Sequence, residues 1–287
     1  MAIGVLPMEL RKADLPSCPI TDLDWPGQDI PSVNTVSELG SDDQIIVYPN
    51  SGIFFKRMPK LACKISLVLT EPKAIHAKYY RTLGLIRHRF HRVICRYPEY
   101  ANRYANVLKL QVIETWVSDQ AIKQSTKKTK ACSLIASAKN NLEGHKLRHR
   151  IADWCLQNNS SVELLGKAYK PFANKEDGLA PYLYSVIIEN NQEQEYFTEK
   201  LLDCMLCDTL PIYWGCPNIT DYFDSEGLII CDTEEAIIRA IKLINKPITE
   251  TQQLAMTKNK AIALKLSKLN QRIVDLLKHD QRTSSAN

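Results

Sequence analysis

The segment YLYSVIIENNQEQEYFTEKLLDCMLCDTLPIYWGCPNITDYFDSEGLIICD, Tyr182 to Asp232, sets polar and charged groups between runs that read as buried. YLYSVII is continuously apolar, β-branched and aromatic, the pattern of a strand covered on both faces. It stops at Glu189-Asn190. After a short polar loop, Tyr196, Thr198, Glu199 and Lys200 open EKLLDCMLC, an amphipathic stretch that reads as a helix with its apolar stripe inward. TLPIYWG then reads as a second buried strand. Strand, loop, helix, strand is a βαβ crossover, and ligands of open α/β sheets bind beyond the carboxyl ends of the strands. Glu189, Asn190, Glu199 and Lys200 all fall at that edge.

Working outward, ACSLIASAK, the helix GHKLRHRIADWCLQ and the strand VELLG precede this unit, and GLIICD and TEEAIIRAIKLI continue it. Thr251 to Lys278 carries apolar residues at helical spacing among lysines. In the first half, QIIVYP, KISLVLT, RVICRY and LKLQVI read as strands, with a helix over about Lys78 to Arg89, which describes a small α/β unit. Residues 1–40 hold Pro7, Pro16, Pro19, Pro26 and Pro31 with little periodicity and read as an irregular arm or a set of short elements. KQSTKKTK, Lys123 to Lys130, is basic and aperiodic and reads as a solvated linker. The expected organisation is a first domain over residues 1–125 and a second over 130–287. A chain of 287 residues accommodates both.

The 45% hydrophobic and 24% charged content is that of a globular protein. No apolar run reaches the length of a spanning helix, and MAIGVLPMELRK charges too soon for a secretory signal. The expectation is a cytoplasmic protein, with room for peripheral contact at the inner face of a membrane. Nine cysteines, an odd number and mostly inside apolar segments, point to buried thiols in a reducing compartment. Cys204 and Cys207 form a CxxC inside the expected helix with no second pair nearby, so a zinc or redox site is not the reading adopted. The formal charge of +5 is small and spread, and no nucleic-acid motif accompanies it, so no nucleic-acid partner is expected.

The run IEN, then EYFTEK, then LPIYWG-C-PNI closely resembles the donor-binding signature of glycosyltransferase family 10, the inverting alpha-1,3/alpha-1,4-fucosyltransferases that use GDP-fucose. The resemblance extends upstream through SLIASAKNNLEGHKLRHRIADW. Before about residue 130 it reduces to TEP, Thr70 to Pro72, and a loose pattern through RVICRYPEYANRYANVLKLQVIETWV. It implies a GT-B architecture, two Rossmann-like α/β domains facing a donor/acceptor cleft, with the donor in the second domain and a C-terminal helix packing back toward the first. The implied reaction moves fucose from GDP-fucose to a hydroxyl of a glycan or lipid-linked saccharide. Animal members carry a membrane anchor, so the lack of one here suggests a bacterial-type or viral-type enzyme.

A nucleotide-sugar donor needs its leaving diphosphate held and its developing charge stabilised, which two fixed cations can do with no cofactor and no obligatory metal. Lys200 opens a helix, where the macrodipole and free N–H groups favour an anion, and the planar fork of Arg148 suits phosphate. The resemblance assigns both to the diphosphate; by residue type alone Arg148 is one of several basic groups in HKLRHR. Glu199 could accept hydrogen bonds from ribose or sugar hydroxyls. Asn190 and Tyr196 match donor-contacting positions of the family, though an Asn at a strand end is otherwise a turn residue and a Tyr otherwise core. Lys139, just past SLIASA, is a further phosphate or base contact. The chain departs from many relatives at Ile188, where phenylalanine is usual, and at Glu193 and Glu195, in a loop that often holds glycine or neutral residues; the expected effect is on loop flexibility and donor affinity.

An inverting transfer also needs a base for the acceptor's proton. Glu71 follows KISLVLT and is held extended by Pro72 at a strand's carboxyl end. It is the expected base, with a solvated turn residue as the other reading and His76 as the alternative base. Asp22 and Asp24 form a DxD without the strand context that a metal site requires. RHRFHRVICR, Arg87 to Arg96, could steer an anionic acceptor or form a solvated helix face. Two rivals remain beside fucosyl transfer: an inverting transferase of the same fold with another nucleotide sugar, and a catalytically weak nucleotide- or carbohydrate-binding protein.

Overall fold

The computed structural model describes residues 1–55, 58–124 and 126–285. In chain order the elements are β1 (Ile3–Val5), β2 (Gln44–Val47), α1 (Ser51–Phe55), β3 (Lys64–Val68), α2 (Lys73–Ile86), β4 (Val93–Cys95), α3 (Pro98–Arg103) and β5 (Val107–Lys109). They continue with α4 (Asp119–Lys123), β6 (Lys130–Ile135), α5 (Glu143–Gln157), β7 (Val162–Leu165), β8 (Tyr182–Ile188), α6 (Glu199–Leu206) and β9 (Leu210–Trp214). The last are β10 (Ile229–Ile230), α7 (Glu234–Ile241), α8 (Glu250–Leu266) and α9 (Leu269–Ser285). Two compact units result, Met1–Val112 with Leu269–Asn287, and Ile113–Lys268.

The first unit holds a parallel sheet in the order β1-β2-β3-β4-β5. Side-chain alternation divides it into two faces. Ile45, Val47, Leu67, Leu69, Val93 and Cys95 join Tyr79, Tyr80 and Leu83 of α2 in one core. Ile3, Val5, Ile46, Tyr48, Val68 and Ile94 join Leu269, Ile273, Val274 and Leu277 of α9 in the other. Of the two readings of residues 1–40, the set of short elements is the one observed. Ile3–Val5 is a ladder strand, and Leu15, Ile20, Trp25 and Val36 are buried through short 3-10 turns whose irregular spacing leaves no periodic trace. α2 begins at Lys73, five residues before the expected start, because Pro72 stands at its N-cap.

The second unit is doubly wound, in the order β10-β9-β8-β6-β7, all parallel. α5 and α7 cover one face through Leu147, Ile151, Ala152, Ile237 and Ile241. α6 and α8 cover the other through Leu201, Leu202, Met205 and Ala263. In sequence rank this order reads 2-1-3-4-5, and its switch point, where ligands of such sheets bind, lies between the carboxyl ends of β6 and β8.

Two readings of the linker region change. The division falls at Val112/Ile113 rather than in KQSTKKTK, because Ile113 and Val117 are buried in the second unit's core. Lys128, expected in solvent, donates to the carbonyls of Ala180 at 2.8 Å and Cys207 at 2.6 Å and to Thr209 Oγ1 at 2.9 Å. Ser125 of that segment lies outside the described residues. Thr251 to Lys278, whose C-terminal helix was expected to pack back toward the first domain, is split at Ser267-Lys268 into α8, in the second unit, and α9, which belongs to the first. All nine cysteines are buried and none forms a disulfide. No helix among the described residues is long and apolar enough to cross a membrane.

Ile273 of α9 is fully buried, so Ile273→Ala is expected to destabilise the protein by about 2–5 kcal/mol in urea unfolding. A change under about 1 kcal/mol would mean that α9 does not close this core.

Candidate functional site

β8 ends at Ile188 with a carbonyl that no sheet neighbour takes. Arg148, reaching across from α5, fills that role: Nε donates to Ile188 O at 3.0 Å, Nη2 to the same oxygen, and Nη2 also to Asn190 Oδ1 at 2.9 Å. The backbone supports the clasp, since Gly144 N donates to Asn190 O at 3.0 Å. A Cβ on Gly144 would lie 1.7 Å from Glu189 O, so only glycine lets α5 begin this close to β8. Arg148 is 6% exposed. Burial lowers its pKa from the ordinary 12.5, against the opposing pull of Glu189, Tyr196 and Glu199. It stays charged at any physiological pH, and its Nη1 has no hydrogen bond among the described residues.

α6 brings the second cation. Thr198 is its N-cap, accepting from Lys200 N at 3.4 Å. Lys200 Nζ lies 3.0 Å from Thr198 Oγ1, 3.0 Å from Glu199 Oε1 and 3.7 Å from Glu189 Oε2. Burial disfavours the ammonium, yet Glu199 and Glu189 outweigh it and raise the Lys200 pKa above 10.5. Burial likewise disfavours the Glu199 carboxylate, and Lys200 and Lys175 outweigh it, so its pKa falls below 4.5. The site is thus held fully ionised at neutral pH by mutual pairing.

Five of the expected donor residues, Arg148, Asn190, Tyr196, Glu199 and Lys200, come together around the end of β8. Tyr196 is buried. Lys139 stands exposed past the end of β6, its carbonyl accepting from His149 Nε2 at 3.1 Å and its Nζ without a partner among the described residues. His145, in the first turn of α5, links the two ends: burial lowers its pKa, helped by Arg148, Lys139 and Lys200. Glu195 does not loosen the loop. It adopts a left-handed φ of 66° and is tied by its N–H to Asn218 Oδ1 at 2.9 Å and by its carboxylate to Asn218 Nδ2 at 3.0 Å and to Tyr222 Oη.

Glu71 is in the first unit, exposed after β3, its backbone carbonyl accepting from Tyr80 Oη at 3.2 Å. Its carboxylate makes no hydrogen bond or ion pair among the described residues. His76 kinks α2 (φ −95°, ψ 27°), packs edge-on against Tyr79, and is held neutral by burial, Lys78 and Arg96, with a pKa lowered to about 4. The basic run Arg87 to Arg96 is occupied internally: Arg87 with Asn106, Arg89 with Phe54 O, Arg92 with Asp280, Arg96 with Thr70 O and Val112 O. Asp24 accepts from Asn270 Nδ2 at 3.0 Å and its backbone bridges Val5, a structural use of the DxD. The CxxC thiols are buried and their pKa values raised, that of Cys207 to about 12, and Cys204 Sγ donates to Thr209 O. Among the described residues no cluster of His, Cys, Asp or Glu could hold a metal ion.

Two features were not singled out from sequence, and Glu189, placed at the ligand edge but given no role, is fully buried beneath Lys200. A pocket of about 580 Å³ opens past the ends of β6 and β7, lined among others by Trp116, Ser137, Lys167, Phe172 and Lys175, with the Lys175 ammonium 5.7 Å above the Trp116 ring. Behind its Thr115–Trp116 wall sits Asp203 of α6, whose Oδ1 accepts from Thr115 Oγ1 at 2.6 Å and Trp116 N at 3.0 Å while Oδ2 has no partner. Nothing in the spacing of Thr115, Trp116 and Asp203 signals this junction, because the partners are 88 positions apart.

No family model matches the chain. A stretch of 56 residues is 36% identical to an alpha-(1,3)-fucosyltransferase, FucT, of Helicobacter pylori; it covers 20% of this chain and 12% of that protein. The fold is similar to that of TarM of S. aureus, whose structure was determined with UDP, alpha-GlcNAc-glycerol and fondaparinux (TM-score 0.58, 11% identity, 83% of this chain and 55% of TarM). It is also similar to α,α-trehalose 6-phosphate synthase of Burkholderia multivorans (TM-score 0.58, 10% identity, 86% of this chain and 72% of the synthase). The chain therefore spans little more than half of TarM and about an eighth of FucT. Two parallel α/β sheet units and these likenesses make the fold class GT-B.

Burial raises the Asp203 pKa from 3.8 to about 6. A raised carboxyl contributes stability below pH 3.8 that is lost as pH rises through about 6, so above pH 6 the ionised group is a cost. Asp203→Asn keeps an acceptor for Thr115 and Trp116 and is expected to stabilise the protein by about 1–2 kcal/mol at pH 7.5 and progressively less toward pH 5. A difference in urea midpoint that stays constant from pH 5 to 8 would show that Asp203 does not titrate in this range.

Proposed function

We propose that the protein is an inverting glycosyltransferase that moves fucose from GDP-fucose to a hydroxyl of a glycan or lipid-linked saccharide. The observation that carries the reading is the meeting of Arg148, Asn190, Glu199 and Lys200 at the switch point of a doubly wound sheet. A buried arginine with an unengaged guanidinium nitrogen and a half-buried lysine there suit a diphosphate that gains charge as its bond to the sugar breaks. The neighbouring pocket has the volume and the aromatic and basic lining for the donor's nucleoside. The partial identity to FucT, added to the IEN and EYFTEK resemblance, supports fucose and GDP over other donors.

In this mechanism Arg148 and Lys200 bind the diphosphate, Asn190 keeps Arg148 aimed, and Glu199 accepts from ribose or sugar hydroxyls. Tyr196 borders the donor and Lys139 supplies an outer phosphate contact. The acceptor oxygen attacks the anomeric carbon from the face opposite the diphosphate, its proton passes to Glu71, and the electron pair of the breaking C–O bond leaves with GDP. No metal or cofactor enters this scheme, since the charge is supplied by the two cations.

GDP and GDP-fucose are expected to raise the melting temperature more than UDP, CMP or NAD, and Lys200→Ala or Arg148→Ala to remove about 2–4 kcal/mol of transition-state stabilisation. A larger shift with a UDP-sugar would replace the donor by another nucleotide sugar; GDP binding with neither transfer nor slow donor hydrolysis would leave a binding protein.

Glu71→Gln separates base from binder. It is expected to lower turnover roughly a hundredfold while GDP affinity, measured by calorimetry, stays at the parent value. Near-parent turnover would move the base to another first-unit residue such as His76, and joint loss of GDP binding would give Glu71 a structural or donor-site role.

A further inference from the structure

We propose that Glu189 is a positioning residue of the donor site: its buried carboxylate fixes Thr198 and Lys200, and with them the first turn of α6, in the arrangement that receives the diphosphate. The inference rests on the donor-site reading above. Glu189 is fully buried at the carboxyl end of β8. A carboxylate there is tolerated only if its lone pairs are met. Thr198 N at 2.8 Å and Thr198 Oγ1 at 2.7 Å donate to them, and Lys200 Nζ, 3.7 Å away, pairs with the charge; all come from the start of α6. A strand end and a helix start are thereby locked to each other across the polar loop.

A carboxylate only accepts, so Thr198 must spend its proton on Glu189, which leaves its oxygen free to accept from Lys200 N at 3.4 Å and Lys200 Nζ at 3.0 Å. An amide at this position would present an N–H to Thr198 Oγ1 and compete with the lysine. The space is equally specific, because a Cβ on Gly215 would lie 2.6 Å from Glu189 Cγ.

Charge completes the case. Lys200 is faced by Glu189 from β8, Glu199 from its own helix and Arg148 from α5; His145 at the start of α5 senses it, and Lys175 acts through Glu199. Glu199 is 20% exposed on its side chain, whereas Glu189 is sealed. An incoming diphosphate can draw Lys200 away from Glu199 while Glu189 keeps the ammonium charged and its stem in place.

The test follows Lys200 in the free protein by its 13Cε resonance, assigned with Lys200→Arg, from pH 8 to 12. Glu189→Gln is expected to lower the titration midpoint by about one unit, and an unchanged midpoint overturns the proposal. In parallel, calorimetry gives GDP affinity at pH 7 and 10.5. The ratio of parent to Glu189→Gln affinity is expected to widen roughly threefold at the higher pH and to stay level in Glu189→Gln/Lys200→Arg, since arginine does not deprotonate there. A ratio independent of pH also overturns it. Should Glu189→Gln not fold, Glu189→Asp serves with a smaller shift in the same direction, and no shift again overturns the inference. A parent protein that binds no GDP removes the donor-site reading, while the lysine titration still decides the role of Glu189.

Discussion

The carbonyl at the end of β8 is the point on which the second unit turns. A parallel strand that stops at a switch point leaves its last acceptor without a ladder partner, and a buried unpaired acceptor is costly. Arg148 meets the Ile188 carbonyl with two of its nitrogens and passes on to Asn190. That one guanidinium ties the helix after β6 to the end of β8, the two elements whose divergence opens the crevice. Because its planar fork is spent on only one edge, the same group that closes the protein's own backbone retains a free nitrogen for an anion.

Around that clasp the charges come in balanced pairs. Arg148 and Lys200 are opposed by Glu189 and Glu199, and each buried ion is tolerated because of the others. Such a network is stiff: moving one member exposes the desolvation cost of the rest. Glycines at 144 and 215 give it room by letting backbone approach where any Cβ would collide. The anchoring of Glu195 to Asn218 and Tyr222 adds a second fastening on the far side of the loop. The pocket of Trp116, Phe172 and Lys175 lies along the same carboxyl edge of the sheet.

The second unit was legible because its strands are continuous apolar runs and its helices carry clean amphipathic stripes, so β6, α5, β7, β8, α6 and β9 all lie where YLYSVII and its neighbours put them. Arg148, Asn190, Glu199 and Lys200 were named together through the family resemblance, and the end of β8 and the start of α6 bring them together. The rest depended on partners remote in sequence. β1 is three residues of a parallel ladder whose partner is about forty positions away. Lys128 looks solvated until Ala180, Cys207 and Thr209 are beside it. Asp203 sits on the inward stripe of α6, where an acid looks like an error of pattern until Thr115 supplies its proton. Glu189 was visible but silent, since residue type alone does not distinguish a ligand from the group that holds a ligand in place.

The first unit is built from both ends of the chain, with the whole of the second unit lying between Val112 and Leu269. On the ribosome, β1 to β5 emerge with one face of their sheet uncovered, presenting Ile3, Val5, Ile46, Tyr48, Val68 and Ile94, and the residues that cover them are translated only after the second unit is finished. At typical synthesis rates of roughly 5–20 residues per second that face stays open for on the order of ten seconds or longer. The second unit, contiguous in sequence, can close its own core meanwhile. The order of biosynthesis therefore inverts the order of the chain: the second unit matures first, and the amino-terminal unit waits for α9.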